Sequence, residues 1–221
     1  MPWFPTKEAA TAHFKAILHR YEPGQRLSDA DTIELMRILK RHPDYAQKVG
    51  AGVAALGVRS AAYGSQCFEI IRTDDTRTDF SYRVCINGKP SSPLAEAKQA
   101  MRAEVNDDIA HAKQQYFAAY GDAEGKVACA VTGEFVTTKT AHVDHAPPWT
   151  FNALADTFFE LFEIEPDSAF VTAAADNQYV PRIADPEIAQ TWRIFHNDRA
   201  QLQVVTGAYN LSVNYAGQKK A

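Results

Sequence analysis

Ala141-His-Val-Asp-His-Ala-Pro-Pro148 places two imidazoles and a carboxylate within four positions and ends on a double proline. Proline lacks an amide hydrogen and cannot continue a ladder, so the stretch reads as the end of a strand. That strand is predicted to run from Phe135 to near His142. It returns from a short strand, Lys126-Val-Ala-Cys-Ala-Val131, through the tight turn Thr132-Gly-Glu134. Asp144 and His145 are adjacent and His142 lies close by, a mixture of oxygen and nitrogen donors that suits one divalent cation. His145 alternatively serves as a base near neutral pH, and a solvated or helix-capping histidine cluster is the third reading. His142-Val-Asp-His145 is the second half of the His-x-His-x-Asp-His zinc signature of metallo-hydrolases, and that reading is rejected because the first histidine of the full pattern would fall on Thr140.

Downstream, Phe151 to Phe162 reads as a helix with Leu154, Phe158, Leu161 and Phe162 on one side, and 164–184 shows little periodicity. Asp185-Pro186 is a helix start, a cap followed by proline at the first helical position. That helix runs to about Asn197; Leu202-Gln-Val-Val205 and a last short helix from about Tyr209 close the chain.

Upstream, Thr6 caps a helix with Ala9, Ala12, Phe14, Ile17 and Leu18 at helical spacing, and Ser28 or Asp29 caps a second that His42-Pro43 stops. Cys67 to Arg72 and Phe80 to Ile86 read as antiparallel strands joined by Thr73-Asp-Asp-Thr76. A linker at Gly88-Lys-Pro-Ser-Ser-Pro93 leads into a long helix, about 94–120. The predicted organisation is α+β: a small α+β domain over 1–88, a linker and connecting helix over 89–122, and a second domain over 123–221.

The 221 residues are 46% apolar and 23% charged, which argues against global disorder, and no apolar run approaches the ~18 residues of a membrane span. No signal peptide is visible, and three cysteines without a C-x-x-C pair form no disulfide framework, so a cytoplasmic location is expected. Net charge is −4, with +2 over 1–120 and −6 over 121–221, which excludes a uniformly basic nucleic-acid coat.

Residues 126–216, with Asp144-His145 closing the hairpin and Leu202-Gln-Val-Val-Thr-Gly-Ala-Tyr-Asn210 following, resemble the HNH nuclease family with its ββα-metal fold. The resemblance implies that Asp144 and Asn210 hold a metal and that His145 is the general base. His142 and His196 are supporting residues, and Gln201 stands where the family has its middle asparagine. It further implies Mg²⁺ or Mn²⁺, with Ni²⁺ or Zn²⁺ as alternatives, and a helical insertion over 150–185. Cys129 stands alone, so no structural zinc is expected.

Trp3-Phe-Pro-Thr-Lys-Glu-Ala9, Arg41-His-Pro-Asp44, Lys48-Val-Gly-Ala-Gly52, Cys67-Phe68, Arg72-Thr-Asp74 and Asp79-Phe-Ser-Tyr82 are similar to the DCL (defective chloroplasts and leaves) family. That family is associated with rRNA maturation and nucleic-acid machinery. Residues 1–89 carry a net +3. Arg37, Lys40, Arg41, Lys48 and Arg72 are the expected nucleic-acid contacts, with Phe80 and Tyr82 placed to stack a base; core aromatics under ordinary surface charge are the alternative.

The two resemblances together imply a metal-dependent endonuclease, of phage or restriction type, cutting double-stranded DNA, with no membrane partner and with a homodimer as the assembly that a double-strand cut from one site per chain would need. A non-catalytic nucleic-acid-binding or adaptor protein on a degenerate ββα scaffold is the alternative.

Overall fold

Thr6 accepts the amide of Ala9 and starts α1 (Lys7–Leu18), whose Ala10, Phe14, Ile17 and Leu18 are buried. Ser28 caps α2 (Asp29–Leu39) by accepting the Asp31 amide. These helices, α3 (Tyr45–Val49), β1 (Val53–Ser60), β2 (Gln66–Arg72), β3 (Arg77–Phe80) and α4 (Tyr82–Asn87) make the first of two units in the computed structural model. The structure describes residues 3–61, 65–172, 176 and 180–218. The first unit comprises residues 1–92 with 173–181, and the second 93–172 with 182–221. The whole is a mixed α/β chain with small antiparallel sheets.

In the first unit the sheet order is β1-β2-β3, antiparallel throughout, with Phe68 opposite Phe80. Its core joins Phe14, Ile17, Leu35, Leu39, Leu56, Phe68, Ile70, Phe80 and Cys85. Two carboxylates are buried, and each has cationic partners as burial requires. Asp31 takes both oxygens' bonds from Arg20 Nη1 at 2.9 Å and a further bond from Tyr21, and Glu69 accepts from Arg77 at 3.1 Å.

The strand expected over Phe80–Ile86 is corrected. Only Arg77–Phe80 extends, and Ser81 then caps a helical turn by accepting the Val84 amide. Tyr82, Cys85 and Ile86 bury at the i, i+3, i+4 spacing of one helix face, a pattern that the β-branched and aromatic residues conceal. Phe80 and Tyr82 are only 2% and 9% exposed, so neither is free to stack a base.

The second unit holds α5 (Pro93–Tyr120), β4 (Lys126–Ala128), β5 (Phe135–Thr137), β6 (Ala141–His145), α6 (Phe151–Leu161), α7 (Pro186–Arg199), β7 (Leu202–Thr206) and α8 (Gly207–Gln218). Read from the sequence as a connector, α5 buries Ala97, Ala100, Met101 and Val105 in this unit's core against Phe158, Trp192 and Phe195. Asp185 caps α7 by accepting the amides of Glu187 and Ile188, as its Asp-Pro start requires. The amphipathic reading of α6 needs one amendment. Leu154 and Phe158 are fully buried, but Leu161 and Phe162 are 60% and 43% exposed, because the helix ends there.

The single returning strand expected from Phe135 to His142 is two strands. β5 pairs with β4, whereas a turn at Thr137–Thr140 sends β6 to pair with β7, antiparallel and in register from Ala141 opposite Thr206 to His145 opposite Leu202. Thr137 and Thr140 close that turn through reciprocal amide-to-hydroxyl bonds. The split matters for chemistry, since it places Asp144-His145 on a strand whose only ladder partner among the described residues is the segment leading into α8. No helix among the described residues is long and apolar enough to cross a membrane.

Candidate functional site

Successive side chains of a strand point to opposite faces, so His142 and Asp144 share one face of β6 while Val143 and His145 share the other. On the first face, His142 Nδ1 meets Asn210 Nδ2 of α8 at 3.1 Å, and His142 Nε2 lies 3.1 Å from where a Cβ on Gly207 would stand. A side chain at 207 would therefore press on His142, and glycine there lets α8 start tight against β6. Asp144 Oδ1 accepts the backbone amide of His145 at 2.9 Å.

On the other face, His145 turns inward. Its Nε2 lies 2.9 Å from Nε2 of His196 on α7, and its ring packs edge-on against Phe151 at 5.6 Å. His196 is 1% exposed, with Nδ1 3.0 Å from Asn197 Oδ1. Asn197 Nδ2 donates to Asp108 Oδ2 at 3.2 Å, and Arg193 forks onto the same carboxylate at 3.3 and 3.2 Å. Arg102 lies over the Phe151 ring at 4.2 Å.

Burial dominates the electrostatics. It pushes His145 down to about 4, with the neighbouring His196 and Arg102 charges adding to it. Burial also lowers His196, against smaller opposing pulls from Asn197 and Asp108. Both imidazoles are therefore neutral at pH 7. Hydrogen bonds from Arg193, and secondarily Asn197, hold Asp108 below the usual carboxylate range.

A testable consequence concerns stability. An unfolded histidine takes up its proton near pH 6.5, but His145 resists it until about pH 4. Between those values the unfolded chain binds more protons, so stability is complete above pH 6.5 and declines as pH falls toward 4. The melting temperature is expected to drop across that window, and less steeply in His145→Gln. A melting temperature that stays level or rises from pH 6.5 to 4 would contradict the burial of neutral His145.

The residues singled out in the sequence divide as follows. His142 is brought to Asn210, and His145 to His196. Gln201 has an exposed side chain and contributes its carbonyl, which accepts the Ala146 amide at 2.7 Å and extends the β6–β7 ladder. Among the described residues no group of three His, Cys, Asp or Glu side chains could hold a metal ion. The two residues expected from the sequence to hold a cation, Asp144 and Asn210, would offer one carboxylate and one amide oxygen and leave the remaining positions to water or substrate oxygens. That all-oxygen donor set fits a hard, hydrated ion such as Mg²⁺ or Mn²⁺ and not a zinc cage. Cys129 is buried, its sulfur accepting the Thr132 amide at 3.3 Å.

The basic set of the first unit needs correction. Arg72 is 6% exposed, and its guanidinium donates to the carbonyls of Gln47 and Lys48, to Thr76 and to both oxygens of Asp176. Arg41 is spent likewise, donating to the carbonyls of Cys85 and Ile86 that end α4. Lys48 Nζ lies 3.4 Å from Thr78 Oγ1. Only Arg37 and Lys40 of the expected five stand exposed, on the C-terminal turn of α2 and just after it.

What sequence reasoning missed is the chain from Asp108 through Asn197 to His196. Asp108 lies 89 residues from Asn197, and nothing in local spacing links them. The one available signal was His196-Asn197 itself, a polar pair on a helix whose Trp192 and Phe195 are core residues.

Residues 15–86 match the family described as "Protein of unknown function (DUF3223)". "DNA-directed RNA polymerase IV subunit 1" of Arabidopsis thaliana is 38% identical over 82 residues, 37% of this chain and 6% of that protein. "Protein DCL, chloroplastic" of Solanum lycopersicum is 39% identical over 79 residues, 34% of this chain and 35% of that protein. "Protein EMBRYO DEFECTIVE 514" of Arabidopsis thaliana is 30% identical over 86 residues, 38% of this chain and 43% of that protein. The chain thus spans less than half the length of these curated relatives. A solution NMR structure of an uncharacterized protein from Rhodospirillum rubrum is 49% identical, with 37% of this chain and 79% of that chain covered and a TM-score of 0.36. The family match leaves the HNH resemblance of residues 126–216 resting on its own motifs.

Proposed function

We propose that this chain, which carries a DUF3223 (DCL-like) domain at residues 15–86, is a metal-dependent endonuclease of the HNH type that hydrolyses phosphodiester bonds in DNA. The observation that carries the reading is the β6–β7–α8 unit. Asp144 and His145 stand at the end of one strand, the partner strand runs directly into α8, and Asn210 of that helix reaches the Asp144 face of β6 through its contact with His142. The order strand, strand and helix supports the reading, although the hairpin that the resemblance closes with Asp144-His145 is split here, β5 pairing with β4 and β6 with β7.

In this reading Asp144 and Asn210 would hold the cation by oxygen atoms, and His142 orients the Asn210 amide. A bound divalent cation supplies neutralisation of the charge that develops on the phosphate oxygens. His145, neutral at pH 7, takes a proton from the attacking water through Nδ1. That atom makes no hydrogen bond to any described residue and is not sealed from solvent, whereas Nε2 is engaged by His196. The acidic second unit supplies little attraction for a polyanion, so grip falls to the first unit, where Arg37 and Lys40 are exposed.

A second reading, a nucleic-acid-binding protein without turnover, is favoured by one observation, the small set of protein ligands around Asp144. Supercoiled plasmid incubated with Mg²⁺ or Mn²⁺ separates the two, with Asp144→Asn and EDTA as controls. The endonuclease reading predicts nicked and linear product that both controls remove. Retention of plasmid without cleavage under either cation would sink it and leave the binding protein.

A further inference from the structure

Hydrogen-bond polarity can be traced through four side chains of the second unit, beginning at the one whose chemistry leaves no choice. The Asp108 carboxylate is held ionised by Arg193 and can only accept. Asn197 must therefore present its NH₂ to Asp108, which fixes its Oδ1 toward His196 Nδ1. An amide oxygen only accepts, so His196 carries its proton on Nδ1. Neutral His196 then has a lone pair on Nε2, and the 2.9 Å contact with His145 Nε2 forms only if His145 donates. His145 consequently carries its proton on Nε2 and its lone pair on Nδ1.

We propose that Asp108, Asn197 and His196 are positioning residues that lock His145 in the Nε2–H tautomer, so that its lone pair sits on Nδ1, the ring nitrogen that His196 does not engage. The assignment of His145 as base rests on the nuclease reading; the tautomer itself does not. Without the chain, imidazole would distribute its proton between both nitrogens, and every molecule protonated on Nδ1 would be unable to accept a proton from water there. The device resembles a catalytic carboxylate fixing a histidine's ring and tautomer, with an amide and a second imidazole extending its reach. The packing supports a locked geometry: Trp192 lies tilted against His196 at 5.5 Å, and Phe151 abuts His145.

The test is two-bond ¹H–¹⁵N correlation on the metal-free full chain with ¹⁵N-labelled histidine at pH 7, which distinguishes the two neutral tautomers. The expected spectrum shows His145 as Nε2–H and His196 as Nδ1–H. His145 found as Nδ1–H would overturn the proposal whatever the protein does to DNA. In Asp108→Asn the acceptor-only partner is gone, so Asn197 can turn its NH₂ toward His196 and both tautomers should invert. Asp108→Glu, which still only accepts, should keep the wild-type pattern, as should Arg193→Gln. In cleavage assays the inverted variant should lose kcat about tenfold or more with KM unchanged, and Asp108→Glu should recover it. Unchanged tautomers and kcat in Asp108→Asn would also overturn the proposal. A wild-type chain with the expected tautomers but no cleavage would uphold the relay while removing the nuclease reading.

Discussion

His145→Ala is expected to lower the rate of metal-dependent plasmid cleavage by roughly 100- to 10,000-fold, the usual worth of a positioned general base. The substitution removes the Nδ1 lone pair, and no other histidine takes its place. His196 is buried behind it, and His142 faces the other side of β6, engaged with Asn210. Alanine also leaves His196 Nε2 without its donor, so some stability goes with the activity, about 1–3 kcal/mol for one unsatisfied buried group. His145→Gln separates the two effects, because a glutamine amide can still donate to His196 while offering no base. Both variants should lose cleavage, but the glutamine variant should keep most of the wild-type melting temperature. DNA retention in a gel-shift assay should survive both changes, since neither alters the exposed cations of the first unit. Equal nicking by wild type and His145→Gln would remove His145 from the chemistry.

Trp192→Ala should cost about 3–5 kcal/mol, the largest stability effect of any single truncation in the second unit. The indole is fully buried, with Phe151, Phe158 and Phe195 at ring distances of 5.9, 5.3 and 6.1 Å, and it bridges α7 to α5 by donating from Nε1 to the Met101 carbonyl at 2.8 Å. Truncation leaves a large cavity among rings that cannot collapse together without leaving their rotamers, and it removes the buried bond that ties α7 to the Met101 carbonyl of α5. Urea unfolding followed by circular dichroism measures the loss, which is read from the midpoint at constant slope. Because α7 also carries His196 and Asn197, the His145 tautomer should lose its definition in the same variant. A shift below about 1 kcal/mol would mean that α7 is not packed as described.

How much of this was legible beforehand depended on the range of the signal. Helix starts with a local chemical signature could be read directly: Thr6, Ser28 and Asp185-Pro186 each begin the helix their side chains suggest. Phe80–Ile86 was misread because alternation and helical spacing coincide over so few residues, and the deciding fact, Ser81 capping Val84, is a geometric one. Phe135–His142 was misread because the turn at Thr137–Thr140 contains neither glycine nor proline. Charge was misleading in the first unit, where Arg41 and Arg72 are consumed by backbone carbonyls that no sequence pattern announces. At the candidate site, the local cluster His142, Asp144 and His145 was visible, and so was its partner Asn210. The alternation of strand faces separates His145 from His142 and sends each to its own helix, which depends on the pairing of β6 with β7 and not on any local spacing.

The nuclease reading requires Asp144 and Asn210, both on the His142 side of β6, to share one ion. A crystal structure of the chain grown with Mn²⁺, with the ion located by its anomalous scattering, tests it most directly. The expected map shows a single peak touched by an Asp144 oxygen and the Asn210 amide oxygen, with His145 still bonded to His196 through Nε2. A peak elsewhere, or Asp144 and Asn210 facing different solvent surfaces with no ion between them, would contradict it.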